Sequence, residues 1–96
     1  MTNPLPKALR TVTPRWSREQ IRAARRASLA PLLRQGGREL IAQDAGNFIL
    51  PAFPGLIIKA SYWRWPERHL AGNAIDFHVQ VLGLSFHEAM RQITGT

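Results

Sequence analysis

The sequence predicts an α+β fold: a small antiparallel β-meander with an N-terminal helix and a C-terminal helical hairpin packed on it. Three observations predict it. A helix-capping motif begins at Ser17, short apolar runs separated by turn residues fill residues 38–65, and two further helix starts follow from Asn73 onward. The chain has 96 residues, 45% of them hydrophobic, which suits one small domain with a packed core.

The N-terminal segment differs in composition from the rest. Residues 1–16 contain three of the seven prolines and no periodic apolar pattern, so we expect an extended basic arm there and a single domain over residues 17–96. Trp16 stands beside a helix start, where an aromatic ring typically packs onto the core. The segment has no secretory-signal pattern, and no apolar run is long enough to span a membrane, so we expect a cytoplasmic protein with no membrane partner.

The first helix carries a stripe of arginines. Ser17 and Gln20 have the spacing of a capping box, which predicts a helix to about residue 28. A short second helix should begin near Pro31 and close at the two glycines of residues 36–37. Four arginines of the first helix follow a spacing that places them on one face: Arg18, Arg22, Arg25 and Arg26. This face is either solvated or binds phosphates, and the sequence leaves both alternatives open.

Residues 38–65 predict four short strands, which lie at 38–42, 47–50, 56–59 and 61–65. Because they are close together in sequence, we expect antiparallel pairing, followed by a polar loop over residues 66–72. Alternation along the fourth strand places Tyr62 and Arg64 on one face and Trp63 and Trp65 on the other. Core packing is the default expectation for the two tryptophans, and exposure of that face for base stacking is the alternative.

The last third of the chain predicts a helical hairpin. Asn73 can cap a helix over residues 74–82, and Gly83 can end it in a left-handed conformation. Ser85 and Glu88 form a second capping box, which starts the final helix. Four apolar residues share one face of that helix: Phe86, Ala89, Met90 and Ile93.

Positive charge is concentrated near the N-terminus. The formal net charge is +7, and residues 1–38 hold nine basic side chains and one acid, whereas residues 39–96 hold four basic and five acidic side chains. Eleven of the thirteen cations are arginine, which suits bidentate phosphate contacts. Nucleic acid is the commonest partner for such a charge distribution.

Two adjacent motifs near the C-terminus carry a family resemblance. Residues 72–77 have the sequence Gly-Asn-Ala-Ile-Asp-Phe, and residues 83–89 have Gly-Leu-Ser-Phe-His-Glu-Ala. Together they resemble the C-terminal half of the zinc-finger domain at the N-terminus of bacterial DNA primases. They resemble still more closely its degenerate forms in primase-like and relaxase-associated proteins of plasmids and conjugative elements, in which a tryptophan-containing strand comes first. The resemblance covers about residues 20–95 and is weaker upstream.

This chain departs from the primase pattern in its metal ligands. The family's zinc site uses three cysteines and a histidine, and this chain has no cysteine. Because structural zinc supplies folding free energy, the resemblance implies a zinc-ribbon-like but metal-free fold in which packing replaces the metal. The expected substitutes are Trp63, Trp65, Phe48 and Phe77. The resemblance also implies association with DNA and no catalysis, since the polymerising carboxylates of primases lie in a separate domain.

The remaining polar residues predict neither an enzyme nor a bound metal or cofactor. His69, His78 and His87 are spaced nine residues apart, which is not a ligand pair on one helix. We expect His78 to be a structural histidine on an apolar helix face, His87 to be exposed, and His69 to lie beside Arg68 within reach of a phosphate. No paired carboxylates, nucleophile–base pair or glycine-rich phosphate loop is present, so we predict no catalytic activity.

The sequence therefore predicts a non-catalytic DNA-binding accessory module, best suited to single strands, in the replication or transfer of a plasmid, conjugative element or phage. The candidate nucleic-acid-binding residues are Arg18, Arg22, Arg25, Arg26, Lys59, Arg64, Arg68, Trp63 and Trp65. Tyr62 is a further candidate for base stacking.

The alternative function is a protein-interaction adaptor that docks onto a helicase, polymerase or relaxase, with the aromatic strand as an edge for strand addition. Convergence of the arginines on one surface favours nucleic acid. Arginines paired with acids and a continuous exposed tryptophan face favour the adaptor. The oligomeric state stays open, including a homodimer through the N-terminal helix.

Overall fold

The structure is a computed structural model that describes residues 16–95, so all of the predicted basic arm except Trp16 lies outside the described residues. The helices are α1 (Arg18–Arg25), α2 (Leu29–Gln35), α3, which is α-helical over Ala74–Asp76 and π-helical over Phe77–Val81, and α4 (Phe86–Thr94). The strands are β1 (Ile41–Ala42), β2 (Asn47–Ile49), β3 (Ile57–Lys59), β4 (Tyr62–Trp65) and β5 (Leu70–Gly72). Single 3₁₀ turns occupy Asp44–Gly46 and Pro66–Arg68.

The five strands form one antiparallel sheet in sequence order, which confirms the predicted α+β meander. The fifth strand was not expected, since residues 66–72 were predicted to be a loop. Pro66 starts a 3₁₀ turn and His69 adopts a left-handed conformation with φ of 56°, so the chain reverses and Leu70 pairs with Trp65. The sequence Leu-Ala-Gly has little intrinsic preference for a strand, and pairing with β4 decides its conformation.

The hairpin between β3 and β4 connects the sheet to the helices. Ala60 and Ser61 form its two-residue turn, and Ala60 has a positive φ of 53°, as the twist of a tight hairpin requires. The Ala60 carbonyl accepts a hydrogen bond of 3.0 Å from the Leu29 amide at the start of α2. Because Ser28 gives this helix no side-chain cap, the hairpin supplies the partner that a helix N-terminus needs.

The core lies between the sheet and the helices. Trp63 and Phe77 are fully buried, and their rings meet edge to face with centroids 5.7 Å apart. The buried residues around them come from α2, α3, the inner face of the sheet and the positions next to β2 and β3: Leu29, Leu33, Leu50, Leu56, Ile58, Trp65 and Ala74. The four aromatic residues expected to replace a metal centre all belong to this core or pack against it, with Phe48 only partly buried.

A smaller apolar cluster holds α1 in place. Ala24 of α1 is buried against Ile75 and Met90, and Trp16 packs on the same cluster as expected for a residue beside the helix start. Phe86 was expected on the same packed face of α4 as Ala89 and Met90 but is 44% exposed, whereas its neighbour His87 packs against the Trp16 ring. His87 is therefore half-buried, contrary to the expectation of an exposed histidine.

The predicted helix starts are confirmed by reciprocal capping bonds. Ser17 and Gln20 bond each other's backbone amides at 3.0 and 2.8 Å, and Ser85 and Glu88 do the same at 3.1 and 2.9 Å. The Ser85 amide and hydroxyl hold the pKa of Glu88 below its usual value because they stabilise the charged carboxylate. Gly83 and the end of the final helix adopt the left-handed conformation that a helix terminus favours.

Three helical segments differ from the sequence-based prediction. The first helix ends at Arg25 instead of near residue 28, and the second begins at Leu29, with Pro31 in its first turn, where the missing amide proton costs nothing. The predicted helix over residues 74–82 widens into a π-helix, in which the Leu82 amide bonds the Phe77 carbonyl. None of the helices in the described part of the chain is both long and apolar enough to cross a membrane.

Replacing Gly72 with alanine should destabilise the domain. Asn73 and Asp76 form a third capping box, with bonds of 3.0 and 3.1 Å, and a Cβ at Gly72 would overlap the Asp76 side chain. Displacing this carboxylate removes one half of the cap, so we expect Gly72→Ala to lower the free energy of unfolding by about 1–2 kcal/mol. Urea denaturation followed by circular dichroism measures this change.

Gly36→Ala is the matched control for this substitution. Gly36 has an ordinary φ of −80°, and its new Cβ would sit 3.6 Å from the nearest carbonyl, which is normal van der Waals contact. We expect this variant to be as stable as the wild type or slightly more stable, since alanine restricts the unfolded chain. Equal stability losses in the two variants would contradict the role assigned to the α3 cap.

Candidate nucleic-acid interface

The three aromatic residues of β4 differ in burial. Trp63 and Trp65 face the core, and their indole nitrogens donate to the carbonyls of Asn73 and Pro54 at 2.9 and 3.0 Å. The core alternative is therefore correct for both rings, and the hypothesis that they stack unpaired bases is wrong for this folded state. Tyr62, on the opposite face of the strand, is 54% exposed.

The register of the sheet brings Tyr62 together with two cations. Lys59 pairs directly with Tyr62 across the β3–β4 hairpin, and Arg64 follows two residues later on the same face. All three side chains are exposed. Directly paired residues of an antiparallel sheet have Cβ atoms about 4.5–5.5 Å apart, so one ligand can contact the ring and the ammonium group together.

These residues belong to a sheet surface that we call the outer face. The register assigns to it Ile41, Asn47, Ile49, Ile57, Lys59, Tyr62, Arg64 and Ala71. None of them is acidic, and none belongs to either core cluster, since every sheet residue in those clusters lies on the inner face. The outer face thus carries one exposed aromatic ring, two positive charges and a row of isoleucines, of which Ile41 is exposed and Ile49 and Ile57 are half-buried.

A second basic surface lies on α1. Arg18, Arg22 and Arg25 line a shallow cavity of about 260 Å³ together with Ile21, and we call these three arginines the arginine face. Within residues 16–95 none of the three is paired with an acid. Arg26 was expected to extend this stripe, but α1 ends before it and Arg26 lies at the C-cap, outside the cavity.

Three other arginines cover core aromatic residues. The guanidinium carbons of Arg34, Arg38 and Arg68 lie 5.2, 6.0 and 4.7 Å from the ring centres of Phe48, Phe53 and Trp65, respectively. At these distances the cation is attracted to the ring face, so Arg68 stabilises the packing of Trp65 instead of joining Arg64 on the outer face. The arginines of α1, Arg64 and Arg68 therefore do not share one surface, so the convergence that would favour nucleic acid is not observed.

The adaptor hypothesis places a free sheet edge on β4, and the structure does not show one. The aromatic strand was expected to offer a free edge for strand addition. Instead, β4 pairs with β3 on one side and β5 on the other, so its backbone groups are already bonded. Strand addition could only occur at β1 or β5, which have two and three residues.

His78 is the only buried polar residue among those described, and it has a structural hydrogen bond. Its Nδ1 lies 2.8 Å from the Ala74 carbonyl, and its ring packs against a small cavity of about 250 Å³ between α2 and α4. Burial lowers the pKa of His78, and the charge of Arg38 lowers it further, while the bond to Ala74 opposes the shift. No three histidine, aspartate or glutamate side chains within residues 16–95 are close enough to share a metal ion.

Comparison with known proteins finds no relative of this chain. No protein-family model, no curated protein sequence and no solved structure matches the chain. The resemblance to the primase zinc-finger domain therefore stays a prediction that rests on the motifs at residues 72–77 and 83–89.

Lowering the pH below 6.5 should destabilise the protein through His78. In the unfolded chain this ring takes up a proton near pH 6.5, whereas burial lowers the pKa in the folded state, so the unfolded state binds more protons as the pH falls. Well above pH 6.5 the ring is neutral in both states and its contribution to stability is complete. Urea denaturation between about pH 7.5 and pH 5 measures the decline.

His78→Leu should reduce this pH dependence, whatever its effect on absolute stability. His69→Asn is the control, because His69 is exposed and asparagine tolerates its left-handed backbone. We expect the control to keep the wild-type pH dependence. A His78→Leu variant whose stability falls with pH as steeply as that of the wild type would rule out His78 as the cause.

Proposed function

We propose that this protein is a non-catalytic nucleic-acid-binding module that holds single-stranded DNA on the outer face of its sheet. The observation that carries the proposal is the exposed ring of Tyr62, flanked by Lys59 on the paired strand and Arg64 on its own strand. An aromatic ring between cations on an open sheet is suited to bases and phosphates at once.

The chemistry of the outer face favours an unpaired strand. Stacking of one base on an aromatic side chain contributes about 1–3 kcal/mol and tolerates any base, because every base has a π-face. Lys59 and Arg64 are placed to neutralise phosphates on either side of such a base. The absence of acids among the residues assigned to the outer face removes the repulsion that a polyanion would otherwise meet.

The charge of the whole chain supports the same partner. The net charge of +7 raises the local concentration of any polyanion, and the arginine face of α1 offers donors not taken up by acids of the described residues. The resemblance of residues 72–89 to primase-associated domains supports a place in replication or DNA transfer of a plasmid, conjugative element or phage, beside a catalytic partner protein.

One observation favours the adaptor alternative. Ile41, Ile49 and Ile57 form a row across three strands of the outer face, and Ile41 is 42% exposed. Such a row could contact an apolar surface of a helicase, polymerase or relaxase. On this alternative the Tyr62 region binds protein, and DNA affinity is weak and insensitive to Tyr62.

Single-stranded DNA should bind at low salt and dissociate steeply as salt is added. The logarithm of the association constant should fall linearly with the logarithm of the salt concentration, with a slope of about −0.7 for each neutralised phosphate. Tyr62→Ala should weaken binding by about 5- to 150-fold through the loss of stacking. Fluorescence anisotropy with a labelled oligonucleotide measures both effects.

Two further variants distinguish the contribution of base stacking to DNA binding from that of positive charge in general. Tyr62→Phe keeps the aromatic ring and should bind nearly as well as the wild type. Arg34→Ala removes one positive charge from α2, outside both basic surfaces, and should weaken binding less than Arg64→Ala does. If no nucleic acid binds at low salt, or if Tyr62→Ala binds like the wild type, the proposed use of the outer face is wrong.

A further inference from the structure

We infer that the preferred ligand is a junction between single-stranded and double-stranded DNA, with the unpaired strand on the outer face and the duplex backbone on the arginine face of α1. This inference rests on the proposed function and adds the shape of the ligand. It follows from the positions of the two basic surfaces and from the different chemistry of their side chains.

The two surfaces lie on opposite layers of the domain. α1 packs on α3 and α4 through the cluster of Ala24, Ile75 and Met90. α3 in turn packs on the inner face of the sheet, where Phe77 meets Trp63. The outer face is on the other side of the same sheet, so a core and a helix layer separate Tyr62 from the arginines of α1. A strand that lies flat on the outer face does not continue directly onto α1.

The arginine face is built for a phosphate backbone and not for bases. α1 contains no aromatic residue, and Ile21, its only large apolar side chain, is half-buried. Arg18 and Arg25 are seven residues apart, which is about 10.5 Å along a helix. Three nucleotide steps of B-form DNA rise about 10.2 Å, so three arginines can follow one strand of a duplex. A duplex presents twice the charge per unit length of a single B-form strand, which favours it as the ligand of this face.

The outer face prefers unpaired nucleotides, whereas the arginine face prefers a duplex. A base inside a duplex already has a neighbour on both of its π-faces, so it cannot stack on the Tyr62 ring without leaving the helix. An unpaired base meets no such cost, because unstacking energy is least for a base that is already single-stranded. The exposed tyrosine therefore selects unpaired nucleotides, whereas the arginines do not discriminate by base accessibility.

A junction can engage both surfaces with one molecule, because its flexible single strand can pass around the edge of the domain to the outer face while the duplex stays on α1. When one surface is bound, the other meets the adjoining segment at a high effective concentration, so the combined affinity exceeds that of either surface alone. Neither a blunt duplex nor a short single strand can use both. The domain would thus be placed where unwinding, priming or strand transfer begins.

The test compares three DNA ligands matched in their number of phosphates: a single strand, a blunt duplex and a duplex with a single-stranded overhang. Binding of the full chain is measured by fluorescence anisotropy at one salt concentration. We expect the overhang ligand to bind at least about tenfold tighter than either of the others. Tyr62→Ala should reduce its affinity toward that of the blunt duplex, and Arg22→Ala/Arg25→Ala should reduce it toward that of the single strand.

Arg26→Ala is the matched control for α1, since Arg26 is exposed and adjacent in sequence but lies outside the arginine face. It should weaken binding of the overhang ligand less than Arg25→Ala does. Thermal unfolding by circular dichroism checks that each variant is folded.

The outcomes separate this inference from the proposed function. If none of the three ligands binds, the proposed function itself fails. If the single strand binds in a Tyr62-dependent manner and the overhang ligand binds no tighter, the proposed function holds and the junction inference is overturned. The inference also fails if a longer single strand binds as tightly as the overhang ligand and depends equally on Arg22 and Arg25, because one strand then wraps both surfaces.

Discussion

The packing of Trp63 is the constraint on which the rest of the domain depends. Its ring is fully buried between β4 and α3, its indole nitrogen bonds the Asn73 carbonyl at the start of α3, and its edge meets the Phe77 ring. One side chain thus joins an interior strand of the sheet to the helix that supports both α1 and α4. Truncation of a buried ring of this size typically costs about 3–5 kcal/mol, which is a large part of the stability of a small domain.

The start of α3 is held from two sides. The capping box at Asn73 and Asp76 fixes the start of α3, and the bond from Trp63 holds the same residue from the sheet side. With Trp65 anchored to the Pro54 carbonyl, both tryptophans of β4 satisfy their polar atoms inside the core. Because both tryptophan rings are packed in the core, Tyr62 and Arg64 are the two side chains of β4 that remain exposed.

Local signals in the sequence predicted much of this fold, and non-local contacts decided the rest. The capping boxes at Ser17 and Ser85 depend on residues three apart, so they could be predicted. Alternation along residues 62–65 predicted which side chains share a face, but not which face is buried. The strand at Leu70–Gly72 and the π-helical turn at Phe77–Val81 have no such local signal, because sheet pairing and packing impose them. The outer face could not be assembled without the register of all five strands.

The shortness of α1 and α2 has a consequence for the arginine face. α1 and α2 have eight and seven residues, which is too short for an isolated helix to be stable in water. Packing on α3 and α4 stabilises α1, and the hydrogen bond from Leu29 to the Ala60 carbonyl anchors α2 on the β3–β4 hairpin. The helical form of both segments therefore depends on the folding of the whole domain. A peptide of residues 16–36 would carry the same charges as a fluctuating coil, and the alignment of its arginines is therefore a property of tertiary structure.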